Sequence, residues 1–181
     1  MIEVELRSFI SEDKYNELIN KYNANTQKQI TYYFNSEQDF RMMKTKECTQ
    51  LWLKTGKMHE ESRLEKVVKV DNKYRADLES MLNLLDYDVD IKWYRTRSKI
   101  ALDQNAEMCI DYTIGYGYIL EIEKQVEDEA NVEEAKALLR KDFENLGINV
   151  SEKSDFDTKY KDYVQNWKEY TKDVDEEAFL N

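Results

Sequence analysis

The chain opens on strict alternation: Ile2, Val4 and Leu6 are apolar, while Glu3, Glu5 and Arg7 are charged. A period of two is that of an extended strand, so the three charges share one face. The period then lengthens. Ser11 stands at a helix N-cap position ahead of Tyr15, Leu18, Ile19 and Tyr22, which recur at the spacing of an amphipathic helix. Extended runs follow at residues 30–34, 40–44, 50–54 and 62–70, broken by Asn35-Ser36-Glu37 and by Thr55-Gly56-Lys57. A second helix is predicted after Asp71, with Tyr74, Leu78, Met81, Leu82 and Leu85 on its buried side. Strands return at 91–102, 107–114 and 118–126, joined by turns at Asp103-Gln104-Asn105 and Gly115-Tyr116-Gly117. A third helix opens at Asn131, where Glu134 completes an approximate capping box; Val132, Ala135, Leu138, Leu139 and Phe143 face inward and Gly147 ends it. A last helical pattern, Phe156, Tyr160, Tyr163, Val164 and Trp167, packs on the outside. The succession predicts an α+β chain with about eight mostly antiparallel strands in one curved sheet, of a kind that can close into a barrel.

The strand faces that carry charge are the informative ones. Glu3, Glu5 and Arg7 share a face, as do Arg63 and Glu65, and Arg95, Arg97 and Lys99. Asp111 shares one with Cys109 and Thr113, and Glu121 and Glu123 share one with Ile119. The opposite faces, Val4/Leu6, Met108/Ile110 and Leu120/Ile122, are core. An ordinary antiparallel sheet with one wet face gives the same alternation. What sets this chain apart is a Glu-x-Glu on both the first and the last strand, with Arg-x-Arg between. Carboxylates at i and i+2 project side by side about 7 Å apart along a strand. Such a pair can offer hard oxygen ligands to one Mg²⁺ or Mn²⁺, and neighbouring Arg and Lys on a rigid sheet can bind phosphate oxygens. Closed into a barrel, these strands make a lumen with cations on one part of the wall and carboxylates on another.

Composition narrows the chemistry. In 181 residues, Lys+Arg 27 against Asp+Glu 38 gives a net charge of −11, which argues against a nucleic-acid coat or a binder of anionic membranes. The single histidine, His59, leaves too few ligands for a zinc site and no Ser-His or Cys-His triad; it reads as a residue of a hairpin loop. Two cysteines, Cys48 and Cys109, form no CxxC pair, so a reducing cytoplasm is the expected setting. Cys109 reads as a small space-filler on the inner face. Charges occupy the N-terminus where a signal peptide has its apolar core, and no run approaches the roughly 18 apolar residues of a membrane span. Apolar residues at 41%, with 12% aromatic, make a globular chain despite 36% charge. There is no proline and no Gly/Ser-rich linker, so one domain is expected, and 173–177 reads as a solvated acidic end. Gly115-Tyr116-Gly117 lacks the GK[ST] of a phosphate-binding loop and is a tight strand connection. Tyr160, Tyr163, Trp167 and Tyr170 form a helical stripe suited to covering a core or meeting a partner.

The ordered motifs resemble the CYTH superfamily, the triphosphate tunnel metalloenzymes. Glu3-Val4-Glu5-Leu6-Arg7 is similar to the opening ExExK signature, with Arg in place of Lys. Residues 31–35 and Phe40-Arg41 resemble the second and third strands, Leu51-Trp52-Leu53-Lys54-Thr55-Gly56 the LxLK-G strand, and Arg63-Leu64-Glu65 the RxE strand. Tyr94-Arg95-Thr96-Arg97 resembles the basic strand, and Asp111 with Gly117 through Glu121-Ile122-Glu123 the closing acidic region. The likeness runs in family order from Ile2 to about Leu146. It implies an eight-stranded antiparallel β-barrel with flanking helices, a tunnel domain over 1–172 that includes a C-terminal packing helix, then an acidic tail over 173–181. It further implies Glu3, Glu5, Asp111, Glu121 and Glu123 as ligands of Mg²⁺ or Mn²⁺, and Arg7, Arg41, Lys54, Arg63, Arg95 and Arg97 as the phosphate grip. Glu5, Glu65 and Arg97 are the implied catalytic group.

Met43 stands where the family's third strand carries a second basic residue, unless Lys44 supplies that contact from the other face. Val67 replaces the last acid of the RxExE strand, and Lys153-Ser154-Asp155-Phe156 is a loose counterpart of a late Lys-x-Ser-Tyr element. The leading expectation is a metal-dependent triphosphatase acting on inorganic triphosphate, a nucleoside triphosphate or another organic triphosphate. A class IV adenylyl cyclase is the alternative enzyme, and a non-catalytic polyphosphate- or nucleotide-binding module the alternative of another class, motivated by Met43 and Val67. An RNA 5′-triphosphate end is a conceivable substrate, but the acidic exterior gives RNA little to track along.

Overall fold

Alternating charged and apolar residues roll this sheet up with its charged face inward, so that the apolar face becomes the outside and must be covered. The architecture comes from a computed structural model that describes residues 2–55 and 62–181. Its strands are β1 (Ile2–Phe9), β2 (Thr26–Phe34), β3 (Asp39–Lys44), β4 (Thr49–Lys54), β5 (Ser62–Val70), β6 (Val89–Ala101), β7 (Ala106–Thr113) and β8 (Gly117–Val126). They close into a ring in the order β1-β5-β4-β3-β2-β6-β7-β8, every described pair antiparallel. β1 runs against β8 along its whole length, from Ile2↔Val126 to Phe9↔Ile119. Against β5, the described pairs are only Ile2↔Leu64, Glu3↔Arg63 and Val4↔Ser62.

Five helices flank the ring among the described residues: α1 (Glu12–Tyr22), α2 (Arg75–Leu84), α3 (Val132–Asn145), α4 (Lys153–Tyr170) and α5 (Glu176–Leu180). The main core lies outside the ring. Val4, Leu6, Met108, Ile110, Leu120 and Ile122 pack under Leu18 of α1 and Ala135, Leu139 and Phe143 of α3. Each such side chain, fully buried, contributes about 1.5–3 kcal/mol. Ser11 caps α1 as expected, its side chain accepting from the Lys14 N–H at 3.2 Å. The capping box at α3 does not form. The chain enters α3 through a short 3₁₀ turn, which leaves Asn131 with helical dihedrals, and Asp128 caps that turn instead, accepting from the Ala130 N–H at 3.0 Å.

α2 corrects the sequence reading more strongly. Leu82 is its single buried residue, whereas Tyr74, Met81 and Leu85 are exposed. The helix touches the barrel along one ridge, Leu78 and Leu82 against the cluster of Phe34 and Met42. Arg75 pins its start, donating to the Thr45 carbonyl at 2.7 Å and to the Thr49 hydroxyl at 2.9 Å.

α4 lies across one end of the barrel and buries Phe156 and Tyr163 against Tyr33, Trp93, Tyr116 and Ile119. The turn before β8 depends on this packing. Gly115 has φ +75°, and a Cβ there would sit 2.4 Å from the Tyr170 ring.

The end of the chain is not a solvated tail. Val174, Phe179 and Leu180 pack on the outer cluster of β2 and β6, and Glu176 accepts from the Tyr32 hydroxyl and Lys92 ammonium at 2.6 Å each and from Lys44 at 3.2 Å. Burial works against this charge. Hydrogen bonds from Lys92 and Tyr32, with the ammonium of Lys44, outweigh it and hold the Glu176 carboxyl below the usual range. A carboxyl with a lowered pKa stabilises the fold above its unfolded pKa and loses that contribution as pH falls towards the folded value. Glu176→Ala is therefore expected to cost about 1–3 kcal/mol in urea unfolding at neutral pH, with the difference from wild type shrinking below about pH 4.

Candidate active site

The strand register decides which inward side chains meet. β1 lies between β5 and β8, so Glu5 faces Glu123 and Arg7 faces Glu121. β6 sets Arg97 against Asp111 and Arg95 against Thr113. Glu3, Glu5, Arg7, Arg41, Lys54, Glu65, Arg95, Arg97, Asp111, Glu121 and Glu123 thereby line a single cavity inside the ring. The side chain of Arg63 and the whole of His59 lie outside the described residues.

Two electrostatic groups divide the wall. In the first, Arg97 donates to both oxygens of Asp111, at 2.8 and 2.6 Å, and to Glu121 at 3.0 Å, all three buried. Arg95 adds a contact to Asp111 at 3.3 Å. Burial alone would discharge Glu121; the guanidinium of Arg97, then those of Arg7 and Arg95, reverse this and hold its carboxyl well below the usual range. In the second group, Glu3, Glu5 and Glu123 bring carboxylate oxygens within 4.8 Å of one another. Lys54 donates to Glu3 at 2.6 Å. Burial, followed by the hydrogen bond shared with Glu65, nevertheless pushes the Glu3 carboxyl up. Glu123 moves the same way, through burial and then the neighbouring charge of Glu121.

Of the carboxylates implied as metal ligands, then, Glu3, Glu5 and Glu123 converge, whereas Asp111 and Glu121 hold arginines. The converging set fits a hard divalent ion. All its donors are carboxylate oxygens, and a cation among them would offset the repulsion of their like charges. A second group, Glu107, Cys109 and Glu123, has ligand atoms equally close. Cys109 is buried, its thiol is pushed up by that burial and it sits 3.8 Å from Glu107, which suits a filler and not a nucleophile.

Two further cations of the lining have their own partners. Arg7 is 3.9 Å from Glu5 and lies over the Phe156 ring. Arg41 is paired with Asp39 and stacks on Tyr33. Lys44 does not stand in for Met43. It points outward to Tyr32, Glu79 and Glu176, while Met43 is buried between Thr31 and Gln50, outside the cavity lining. Lys153 is exposed, but Phe156 from the same stretch reaches the cavity. Sequence reasoning missed the aromatic lining: Tyr33, Trp52, Trp93, Tyr116, Phe156 and Tyr160. Parity offered a signal for three of them, since Trp52 shares a face with Lys54, Trp93 with Arg95, and Tyr33 pairs with Arg41.

An eight-stranded ring with a charged lumen is the architecture of the triphosphate tunnel proteins. The CYTH domain profile matches residues 1–157, and the chain belongs to that family. Among solved structures, PH1819 from Pyrococcus horikoshii OT3 superposes with a TM-score of 0.70 at 23% identity, over 83% of this chain and 93% of that one. A proposed adenylate cyclase from Vibrio parahaemolyticus gives 0.69 at 12% identity, over 82% and 90%. HpAC1 from Hippeastrum, proposed as an adenylyl cyclase and described as having a dominant triphosphatase activity, gives 0.57 at 18% identity, over 88% and 95%. At these identities the likeness is one of fold. No curated protein matches the chain.

A carboxyl with a raised pKa favours the fold below its unfolded pKa and loses that contribution as pH rises through the folded value. In EDTA, the melting temperature should therefore fall from about pH 5 to about pH 8. Glu123→Gln should melt higher than wild type at about pH 8 and match it at about pH 5, as read by differential scanning fluorimetry.

Proposed function

We propose that the protein is a divalent-metal-dependent triphosphatase that releases phosphate from a triphosphate-bearing substrate inside the tunnel. One observation carries this reading: a single lumen sets the converging carboxylates of Glu3, Glu5 and Glu123 against a wall of cations, Arg7, Arg41, Lys54 and Arg95. A polyphosphate is the small molecule whose charge and length match such a wall, and Arg makes forked contacts to its oxygens. Mg²⁺ or Mn²⁺ held by the acidic group supplies neutralisation of phosphoryl charge and a more acidic bound water. Arg7, Arg41 and Arg95 bind and orient the chain of phosphates; Glu5 and Glu65 orient water and accept its proton; Arg97 keeps Asp111 and Glu121 in place and adds positive potential. The two free thiols, Cys48 and Cys109, suit a reducing cytoplasm, and among the described residues no helix is long and apolar enough to cross a membrane.

The test is phosphate release across inorganic triphosphate, ATP and thiamine triphosphate in a metal screen. Metal-dependent phosphate release supports the reading. Pyrophosphate and cyclic AMP from ATP would make the protein a cyclase, and thermal stabilisation by triphosphate without turnover would make it a binding module.

Glu5→Gln is expected to abolish metal-dependent turnover without loss of fold, as checked by circular dichroism. Two arginines should part company. Arg7→Ala should weaken triphosphate binding about 10- to 150-fold, the worth of one charge-assisted hydrogen bond, with stability within about 1 kcal/mol of wild type. Arg97→Ala strands Asp111 and Glu121 and should destabilise by about 3–5 kcal/mol; calorimetric titration with chemical unfolding measures both.

A further inference from the structure

The helical jacket around the barrel is unfinished on one side. α1 and α3 cover the outer face of β1, β7 and β8, and α5 lies on the outer cluster of β2 and β6. On β4 and β5, the face turned away from the lumen-lining Trp52, Lys54 and Glu65 carries Leu53, Leu64 and Val68, all exposed, Val68 by 60%. α2 is half used in the same neighbourhood. Leu51 of β4 joins its contact cluster, but Tyr74, Met81, Leu84 and Leu85 stay exposed, Met81 by 59% and Leu84 by 79%. Tyr74, Met81 and Leu85 stand at i, i+7 and i+11, which makes one stripe along the helix. Among the described residues, every exposed large hydrophobic except Val89 and Tyr170 lies between Leu53 and Leu85. Single exposed apolar residues are ordinary; a gathering of this kind marks a contact surface.

The bare sheet and the bare helix stripe suit each other but do not meet within one copy. α2 is held on Phe34 and Met42 by Leu78 and Leu82, and Arg75 ties its start to the Thr45 carbonyl and the Thr49 hydroxyl. Their charges are opposite. Exposed Lys66 stands between Leu64 and Val68 on the sheet, paired across the strands with Leu53. On the helix, exposed Asp77 lies one turn before Met81, and Asp86 follows Leu85. Stripe against stripe would set acid against acid, whereas stripe against sheet sets Asp77 against Lys66. Net charge points to the kind of partner. Residues 64–85 hold Lys66, Lys69, Lys73 and Arg75 against Glu65, Asp71, Asp77 and Glu79, so the chain's −11 falls outside this stretch. Two copies of an acidic chain that meet here keep most of their mutual repulsion away from the contact.

We propose that this face joins two copies of the chain in a crossed, two-fold dimer. In it the α2 stripe of each copy covers Leu53, Leu64 and Val68 of the other. The same contact is thereby made twice, Asp77 of each copy meets Lys66 of its mate, and the assembly closes on itself. The second copy completes the jacket that one chain leaves open. The lumen is untouched, because the contact uses only the outer face of β4 and β5.

The test is sedimentation equilibrium of the full chain from about 1 μM to about 100 μM. The expected result is a reversible shift from 21.8 kDa to twice that mass. Val68→Ser and Met81→Ser, both at exposed positions, should each abolish the shift while circular dichroism shows the fold retained. Lys66→Glu and Asp77→Lys should each weaken association about 10-fold, and the double variant should return to within about 3-fold of wild type. A monomer at every concentration leaves the face to a partner of another kind and overturns the proposal. A dimer that survives Val68→Ser and Met81→Ser uses another surface and overturns it too. Loss of the dimer in both serine variants, without recovery in the double charge reversal, makes the contact stripe on stripe and overturns the crossed arrangement. Mass that grows beyond two copies overturns the two-fold closure.

Discussion

Arg97 forks onto Asp111 and reaches Glu121 in the middle of a closed ring of strands, where water cannot readily serve any of the three. Taking such charges out of water is costly, and the fold tolerates them only because each finds its counter-charge within hydrogen-bonding distance. The rest of the molecule is arranged around that requirement. With charge facing in, the apolar residues of β1, β7 and β8 face out, and α1 and α3 exist to cover them. The hydrophobic core is thus a jacket around a polar axis. Inside the ring, apolar burial is gathered at the end under α4, where Tyr33, Trp93, Tyr116 and Phe156 pack together.

The alternation that predicts this inversion was legible wherever one strand face is charged and the other apolar, as in β1, β7 and β8. Periodicity identifies a face; it cannot say what lies opposite. Met81 and Leu85 recur at helical spacing on α2 yet stay in solvent, because the helix meets the barrel along one ridge only. The acidic end reads as solvated for the converse reason. The partners of Glu176 lie 132 residues away at Lys44 and 84 away at Lys92, on the outer face of strands whose inner face attracts attention first. Within the site, residue types and inward direction could be read from sequence. The division of labour among carboxylates could not, because it depends on which positions stand opposite after the ring closes. Asp111 is drawn to Arg97 by the β6–β7 register and Glu3 to Lys54 over the intervening β5.

Crowding carboxylates is a liability for folding and an asset for binding. Glu3 and Glu123 hold protons above the normal carboxylate range because burial and neighbouring acids disfavour their charge. The same stored repulsion increases what the group gains from any cation that can enter. Stability is given up at one point of the wall, and the aromatic cluster under α4 restores part of it, with Trp93, Tyr116 and Tyr163 ring centres 4.5–5.8 Å apart.

At the seam between β1 and β5 this arrangement has a mechanical side. The described pairs there run from Ile2↔Leu64 to Val4↔Ser62. The ion pair from Glu3 to Lys54 passes over β5 and ties β1 to the strand beyond it. Cohesion of the ring at this joint thus depends partly on charges in the lumen as well as on the ladder. A hoop fastened from within would respond to what it contains: a polyanion drawing Lys54 away from Glu3 would remove this tie, and a cation taken up by Glu3 together with Glu5 and Glu123 would tie β1 to β8 instead. The closure of the ring and the ionic content of its bore are thereby linked through Glu3 and Lys54.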